Sequence, residues 1–204
     1  MIKNLIFDFG MVLVDYSFEE FFKRHIPDME RCMAFAKVFN TPEFQERMDR
    51  EEQPIDDIMG EVLKENPEFL PEMMMFKENY PDIVKHETEG MRELLTRLKA
   101  EGYKLYGLTN WCSKVHLTMA QYDIFKLLDG RVISSEEKVV KPEPEIYRIL
   151  FDRYGLKPEE CIFTDDRLVN IEGGRRVGME GIVFQNAKQY ETELRKIIAS
   201  RMDD

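Results

Sequence analysis

The stretch Cys161-Ile162-Phe163-Thr164-Asp165-Asp166 decides the fold class, because it has the pattern of a short buried strand that ends in two carboxylates. A matching stretch, Leu5-Ile6-Phe7-Asp8, lies far upstream and also ends in a carboxylate. Short apolar runs followed by a turn are typical of buried strands in α/β proteins. Ligands of such sheets bind beyond the carboxyl ends of the strands. If the two strands are neighbours, Asp8, Asp165 and Asp166 converge on one crevice.

Three carboxylates in one crevice would destabilise the fold, since like charges in a shared site cannot all remain ionised. A divalent cation would neutralise them, and oxygen-rich ligand sets suit Mg²⁺. The sequence therefore predicts a magnesium site formed by Asp8, Asp165 and Asp166.

The rest of the chain predicts two modules. Strand and helix patterns alternate after residue 87, which indicates right-handed crossovers and a Rossmann-like, doubly wound parallel sheet of the α/β class. The segment from Ser17 to about His86 shows helix signals and no convincing strand; Ser17 begins a capping box, and Thr41 precedes a proline at the first helical position. We therefore predict a core domain formed by residues 1–15 and 87–204, with an all-helical cap domain inserted at 16–86.

Composition excludes several classes of protein. The net charge of −11 argues against nucleic acid as the main partner. The apolar runs are too short to cross a bilayer, and the N-terminus enters a strand at once, so we expect no membrane segment and no signal peptide. The odd number of cysteines, without paired spacing, favours a reduced, cytoplasmic protein. We expect a monomer or a weak homodimer.

Two more polar groups follow predicted strands or loops: Thr109-Asn110-Trp111, directly after Leu108, and Lys141-Pro142. Each group alone is typical of a helix cap or a solvated loop. Their joint occurrence, in this order with Asp8 and Asp165-Asp166, is specific. It resembles the haloacid dehalogenase-like hydrolase superfamily over nearly the whole chain. The branch that this sequence most resembles includes bacterial α-glucose-1-phosphate phosphatases, which also have glycine two residues after the nucleophile.

This resemblance implies a mechanism through a phospho-aspartate. Asp8 would attack phosphorus, and Mg²⁺ would bridge Asp8, a substrate oxygen and Asp166. Asp165 would be a further ligand or lie in the outer shell, and the backbone carbonyl of Gly10 could coordinate the ion. The substrate would be a small phosphorylated metabolite, with sugar phosphates favoured by the likeness to that branch.

The same resemblance implies roles for the remaining motif residues. Thr109 and the backbone after Asp8 would donate hydrogen bonds to phosphate oxygens, and Lys141 would neutralise the phosphate and the nucleophile. Asn110 would contribute to substrate binding, and Asn170 would help to hold the acidic loop. Phosphoryl transfer demands mostly positioning and charge stabilisation, which this set supplies.

Gly10 departs from the pattern of most phosphatases in this superfamily, which have there a second aspartate as general acid and base. Asp15, His25 or a water could replace it, and the sequence does not choose. Haloacid dehalogenases also lack that acid, so a metal-independent 2-haloacid dehalogenase is one alternative. The Asp165-Asp166 pair favours the phosphatase, because serine and asparagine are expected at that loop in dehalogenases. The other alternative is a catalytically impaired binding or regulatory protein.

Four cap residues could face the substrate: Phe44, Arg47, Met48 and Arg50. We expect Arg50 to pair with neighbouring acidic residues on a solvated face, and we carry Arg47 forward as a substrate-binding candidate. Trp111 could line the pocket or pack between sheet and cap.

Overall fold

The computed structural model describes residues 1–201. Its strands are β1 (Asn4–Phe7), β2 (Val14–Tyr16), β3 (Val84–Glu87), β4 (Lys104–Thr109), β5 (Gly130–Ile133), β6 (Cys161–Asp165) and β7 (Glu180–Val183). Its helices are α1 (Phe18–His25), α2 (Met29–Phe39), α3 (Pro42–Arg50), α4 (Ile55–Glu65), α5 (Leu70–Glu78), α6 (Met91–Ala100), α7 (Val115–Gln121), α8 (Ser134–Glu137), α9 (Pro144–Tyr154), α10 (Leu168–Arg176) and α11 (Ala187–Ser200). No helix within these residues is both long enough and apolar enough to cross a membrane.

A five-stranded parallel sheet forms the core, with the strand order β5-β4-β1-β6-β7. The two stretches that the sequence singled out, β1 and β6, are neighbours, and Phe7 pairs with Thr164. On the other side of β1, Phe7 pairs with Gly107 of β4. Asp8, Asp165 and Thr109 therefore lie at the same carboxyl edge of the sheet. This is the edge where ligands of doubly wound sheets bind.

Helices cover both faces of the sheet, which confirms the predicted α/β architecture. Successive side chains of a strand point to opposite faces. Leu5 and Phe7 accordingly belong to the apolar cluster that includes residues of α6 and α11. Ile6 belongs to the cluster that includes residues of α9 and α10. All three side chains are fully buried, so the central strand is shielded from water on both faces.

Helices α1 to α5 lie between β2 and β3. The Ser17 hydroxyl accepts a hydrogen bond from the backbone N–H of Glu20 (3.1 Å), and the Thr41 hydroxyl accepts one from that of Phe44 (3.1 Å). Both predicted helix starts are therefore confirmed. We call helices α1 to α5 the cap. Its interior is rich in phenylalanine; the ring centroids of Phe22 and Phe35 lie 5.0 Å apart.

The expectation that the segment from Ser17 to about His86 contains no strand is wrong at its C-terminal end, and the predicted all-helical cap at 16–86 begins and ends with strand residues. Strands β2 and β3 pair in an antiparallel ribbon through which the chain enters and leaves the cap. Tyr16 therefore lies in β2, and Val84 begins β3. Strands of three and four residues are too short to give a period-two signal, and these two pair only with each other. The division into domains at residues 16 and 86 stays a prediction.

Candidate active site

The three predicted carboxylates form one cluster at the carboxyl edge of the sheet. Asp8, Asp165 and Asp166 each offer an oxygen atom, and these atoms lie within 4.8 Å of one another. Asp8 and Asp165 are buried, whereas Asp166 is exposed. Asp8 and Asp166 line a cavity of about 110 Å³ between the cap and the core. We call this space the active-site cavity.

Lys141 supplies a buried positive charge to this cluster. Its Nζ lies 2.9 Å from Oδ1 of Asp8 and 2.7 Å from Oδ2 of Asp165, and it donates to the carbonyl of Leu108 at 3.0 Å. The Asn110 side chain holds the Lys141 backbone, accepting from its N–H at 2.7 Å and donating to its carbonyl at 3.0 Å. Asn110, predicted to bind substrate, thus lines the cavity with its amide group occupied by Lys141.

The two adjacent aspartates have different surroundings. Asp165 accepts hydrogen bonds from Nδ2 of Asn170 (3.0 Å to each oxygen) and from the backbone N–H of Arg167 (2.8 Å). The Tyr147 hydroxyl donates to the Asn170 carbonyl at 2.8 Å, which fixes this loop from the core side. Within residues 1–201, Asp166 takes no hydrogen bond and no ion pair from another residue. Its carboxylate is therefore the freer ligand of the pair.

The electrostatics of the cluster favour a bound cation. Burial raises the pKa of Asp8 to about 7; the charge of Lys141 opposes this rise and that of Asp165 adds to it. Burial and the neighbouring Asp165 also raise the pKa of Asp166. Burial acts to lower the pKa of Lys141, but Asp165 and Asp8 outweigh it, so that pKa is raised. One ammonium against three carboxylates leaves an excess of negative charge, and oxygen ligands of this kind fit Mg²⁺.

Two further motif residues are Thr109, at the carboxyl end of β4, and Gly10, two residues after Asp8. Thr109 is 1% exposed, and its Oγ1 has no hydrogen-bond partner in the described part of the chain. A buried hydroxyl without a partner is uncommon and fits a ligand oxygen. Gly10 lines the active-site cavity, and a Cβ atom there would lie 2.5 Å from Cε1 of Tyr16. The backbone N–H of Phe9, by contrast, donates to Oδ1 of Asp8 at 2.7 Å, which occupies it.

The cavity wall contains residues that the sequence reasoning missed. They are Tyr16, Phe18, Gln45, Asp49, Tyr80, Ile83 and Arg167. Gln45 and Asp49 stand four residues apart on α3, a spacing that places both on one helix face and could have identified them. Trp111 lines the cavity as predicted and is only 5% exposed; its Nε1 donates to the Tyr80 hydroxyl at 2.9 Å. Trp111 therefore both lines the pocket and packs against Tyr80, which follows α5.

The structure does not bring Arg47 to this cavity. Arg47 pairs with Glu61 and lines a separate surface groove. Phe44 and Met48 are buried in the interior of the cap. Arg50 pairs with Glu46 at 3.0 Å, as expected for the solvated face, and also with Glu143 of the core at 2.7 Å. On this helix Phe44 and Met48 fill the cap interior, and Gln45 and Asp49 face the active-site cavity, so the two arginines lie on other faces.

Neither candidate for the missing acid faces Asp8. Asp15 accepts a hydrogen bond from the Thr88 hydroxyl at 3.0 Å and lies 3.6 Å from Nδ1 of His86 in the ribbon. The ring of His25 packs on Phe21 inside the cap, with centroids 4.4 Å apart. Both side chains therefore make contacts away from Asp8.

The chain is similar to known proteins in sequence and in fold. A family model for haloacid dehalogenase-like hydrolases matches residues 2–178. Glyceraldehyde 3-phosphate phosphatase of Pyrococcus furiosus is 31% identical over 65% of this chain and 56% of that protein. D-Ribitol-5-phosphate phosphatase of Bacteroides thetaiotaomicron is 26% identical over 98% of this chain and 100% of that protein. The chain spans about half the length of several other curated relatives that it matches.

A solved structure agrees over most of the chain. It is the crystal structure of a haloacid dehalogenase family enzyme from Bacteroides thetaiotaomicron in complex with magnesium and inorganic phosphate. The TM-score is 0.71 at 19% identity, with 92% of this chain and 96% of that chain covered. At this identity the likeness shows the fold alone.

Proposed function

The chain belongs to the haloacid dehalogenase-like hydrolases, and we propose that it is a Mg²⁺-dependent phosphatase that hydrolyses a small phosphomonoester through phospho-Asp8. One observation carries this proposal. Asp8 lies buried beside Lys141, within a cluster of three carboxylates whose oxygens lie within 4.8 Å of one another. Such a cluster needs a cation to balance its charge. Haloacid dehalogenation needs no metal ion, so the cluster favours the phosphatase.

The nucleophile has one oxygen available for attack. Oδ1 of Asp8 accepts from the Phe9 N–H (2.7 Å) and lies 2.9 Å from Nζ of Lys141. Oδ2 is therefore the atom that attacks phosphorus, in the manner of covalent catalysis by a carboxylate. Lys141 neutralises negative charge on the transferred phosphoryl group, and the Thr109 hydroxyl donates to one of its oxygens. These groups position the transferred phosphoryl group and stabilise its negative charge, which is what phosphoryl transfer requires.

Asp8, Asp166 and the Gly10 carbonyl would hold Mg²⁺, with Asp165 behind them. The bound ion would supply the charge that lets the phosphate enter an acidic site. Asp165 keeps its orientation through Asn170 and the Arg167 N–H. Its oxygens already accept protein hydrogen bonds, so we assign it to the outer shell.

The substrate is a small phosphorylated metabolite. The cavity is about 110 Å³, well below the roughly 300 Å³ at which ligand pockets usually begin. Glyceraldehyde 3-phosphate and ribitol 5-phosphate, named in two relatives, are of this class. A sugar or polyol phosphate is the first class to screen. The oligomeric state and the cytoplasmic location stay predictions.

Asp8→Asn tests the proposal, with Asp152→Asn as the matched control, because Asp152 is an exposed aspartate on α9. Phosphate release from a panel of phosphorylated metabolites should require Mg²⁺ and stop on chelation. It should vanish in Asp8→Asn, which keeps the shape of the side chain but loses the attacking charge. Beryllium fluoride with Mg²⁺ should raise the melting temperature of the wild type and leave that of Asp8→Asn unchanged.

Two outcomes would contradict the proposal. Undiminished hydrolysis in excess EDTA, or release of halide from 2-haloacids, would favour the dehalogenase. Binding of metabolites without any turnover would favour the regulatory protein.

A further inference from the structure

The position that usually carries the acid has no room for one here. A Cβ atom on residue 10 would lie 2.5 Å from the ring of Tyr16, so that ring occupies the space. The Tyr16 hydroxyl is itself a weak proton donor, because burial raises its pKa and the charges of Asp8 and Asp49 raise it further. A side chain that donates a proton to the leaving group would therefore have to come from another element that reaches the cavity.

Asp49 of the cap lies in the right place. It lines the same cavity as Asp8, Lys141 and Asp166. Across residues 1–201, its carboxylate makes no hydrogen bond and no ion pair. Asp49 is half-buried, and its carboxylate lies at the wall of this cavity. The Asp49 side chain is therefore free to meet a ligand.

The backbone around Asp49 is fixed to the core. The Ser134 hydroxyl donates to the Asp49 carbonyl at 2.5 Å. The next residue, Arg50, pairs with Glu143 at 2.7 Å. Glu51, which adopts a left-handed backbone conformation with φ of 46°, accepts at 2.7 Å from a backbone N–H of the core. Three consecutive residues thus attach the end of α3 to the core and hold the Asp49 side chain at the cavity.

The charges around Asp49 suit proton transfer near neutral pH. Burial raises its pKa to about 7, with Lys141 and Arg167 opposing and Glu46 adding to the rise. A general acid works best when its pKa lies near the operating pH. Other titratable groups near Asp49 have pKa values raised by burial and stay neutral there: Tyr16, Tyr80 and Cys112.

We propose that Asp49 is the general acid and base of the reaction, an inference that rests on the proposed phosphatase function. As Oδ2 of Asp8 bonds to phosphorus, the bond from phosphorus to the leaving oxygen breaks, and that oxygen takes the proton of the Asp49 carboxylic acid. The Asp49 carboxylate then removes a proton from water as the water oxygen attacks phospho-Asp8. The bond from phosphorus to Asp8 breaks, which yields inorganic phosphate and restores protonated Asp49.

Asp49→Asn separates this role from substrate binding. The test uses p-nitrophenyl, phenyl and benzyl phosphate, which are similar in shape but whose leaving groups are progressively weaker acids. In Asp49→Asn, phosphorylation of the enzyme by benzyl phosphate should slow about 10²–10⁴-fold, the usual contribution of general acid catalysis. p-Nitrophenolate leaves without a proton, so the variant should release it in a burst equal to the enzyme concentration. Slow turnover should follow, because the variant lacks the base that activates water. With benzyl phosphate, the wild-type rate should fall as the pH rises and Asp49 loses its proton. This fall should be absent in Asp49→Asn.

Asp57→Asn, an exposed carboxylate at the start of α4, is the matched control and should behave as wild type. Asp49→Asn removes a charge that burial disfavours, so its melting temperature at pH 8 should be no lower than that of the wild type. If Asp49→Asn slows phosphorylation of the enzyme equally with all three esters, or does not slow it at all, the role of Asp49 is refuted and the proposed phosphatase function is not. Failure of the wild type to hydrolyse any of them with Mg²⁺ would overturn the proposed function as well.

Discussion

Replacing Lys141 by methionine tests how far this buried ammonium stabilises the folded protein. Its side chain is 0% exposed and lies 2.9 Å from Asp8 and 2.7 Å from Asp165. Removing one partner of a buried ion pair costs about 3–5 kcal/mol, because a buried charge is left uncompensated. For a protein of this size, each kcal/mol lowers the melting temperature by about 2–4 °C. Lys141→Met should therefore melt about 6–20 °C below the wild type at pH 8 without metal.

The assay is thermal and urea unfolding, with Lys196→Met on the exposed face of α11 as control. Lys196→Met should change stability by less than about 0.5 kcal/mol. Mg²⁺ at 100 times its dissociation constant should return about 2.7 kcal/mol to any variant that still binds the ion. A loss below about 1 kcal/mol in Lys141→Met would refute the reasoning, because it would mean that the carboxylates had found other compensation.

Two further predictions concern pH and packing. The pKa values of Asp8 and Asp49, raised from 3.8 to about 7, mean that the folded state binds protons more tightly than the unfolded state. The melting temperature of the metal-free protein should therefore fall by several degrees as pH rises from 5 to 8, and Mg²⁺ should reduce that fall; a rise would contradict the assignment. Gly10→Asp should lose about 1–3 kcal/mol in urea unfolding through its clash with Tyr16. Adding Tyr16→Ala should cost less than the sum of the two single changes, and strict additivity would contradict that contact.

The sheet and the carboxylate cluster were predictable from the sequence because local patterns specify them. β1 and β6 are short apolar runs that end in aspartate, and parallel pairing alone brings their ends together. The family resemblance added Lys141 and Thr109, which no local pattern would have placed beside Asp8. Both residues are far from Asp8 along the chain, and only the order of the strands in the sheet brings them near it.

The cap side of the site was not predictable to the same extent. Which face of α3 meets the core depends on tertiary contacts such as Arg50 with Glu143 and Ser134 with the Asp49 carbonyl. The sequence offers Arg47 as the substrate-binding candidate of this helix, yet the helix presents Gln45 and Asp49 to the cavity. The Tyr16 ring above Gly10 depends on a short ribbon that leaves no periodic signal in the sequence.

The central position of β1 has a consequence for the order of events during synthesis. Asn4 pairs with Lys104 and Cys161, so β1, which is translated before both partner strands, stays without these neighbours until distant parts of the chain exist. At about 5–20 residues per second, the last of these partners is made roughly eight to thirty seconds later. Until then the nascent chain exposes an unpaired apolar strand while the local helices of the cap can already form. An unpaired strand edge of this kind is prone to aggregation, so the amount of native protein should depend on chaperone supply and translation speed.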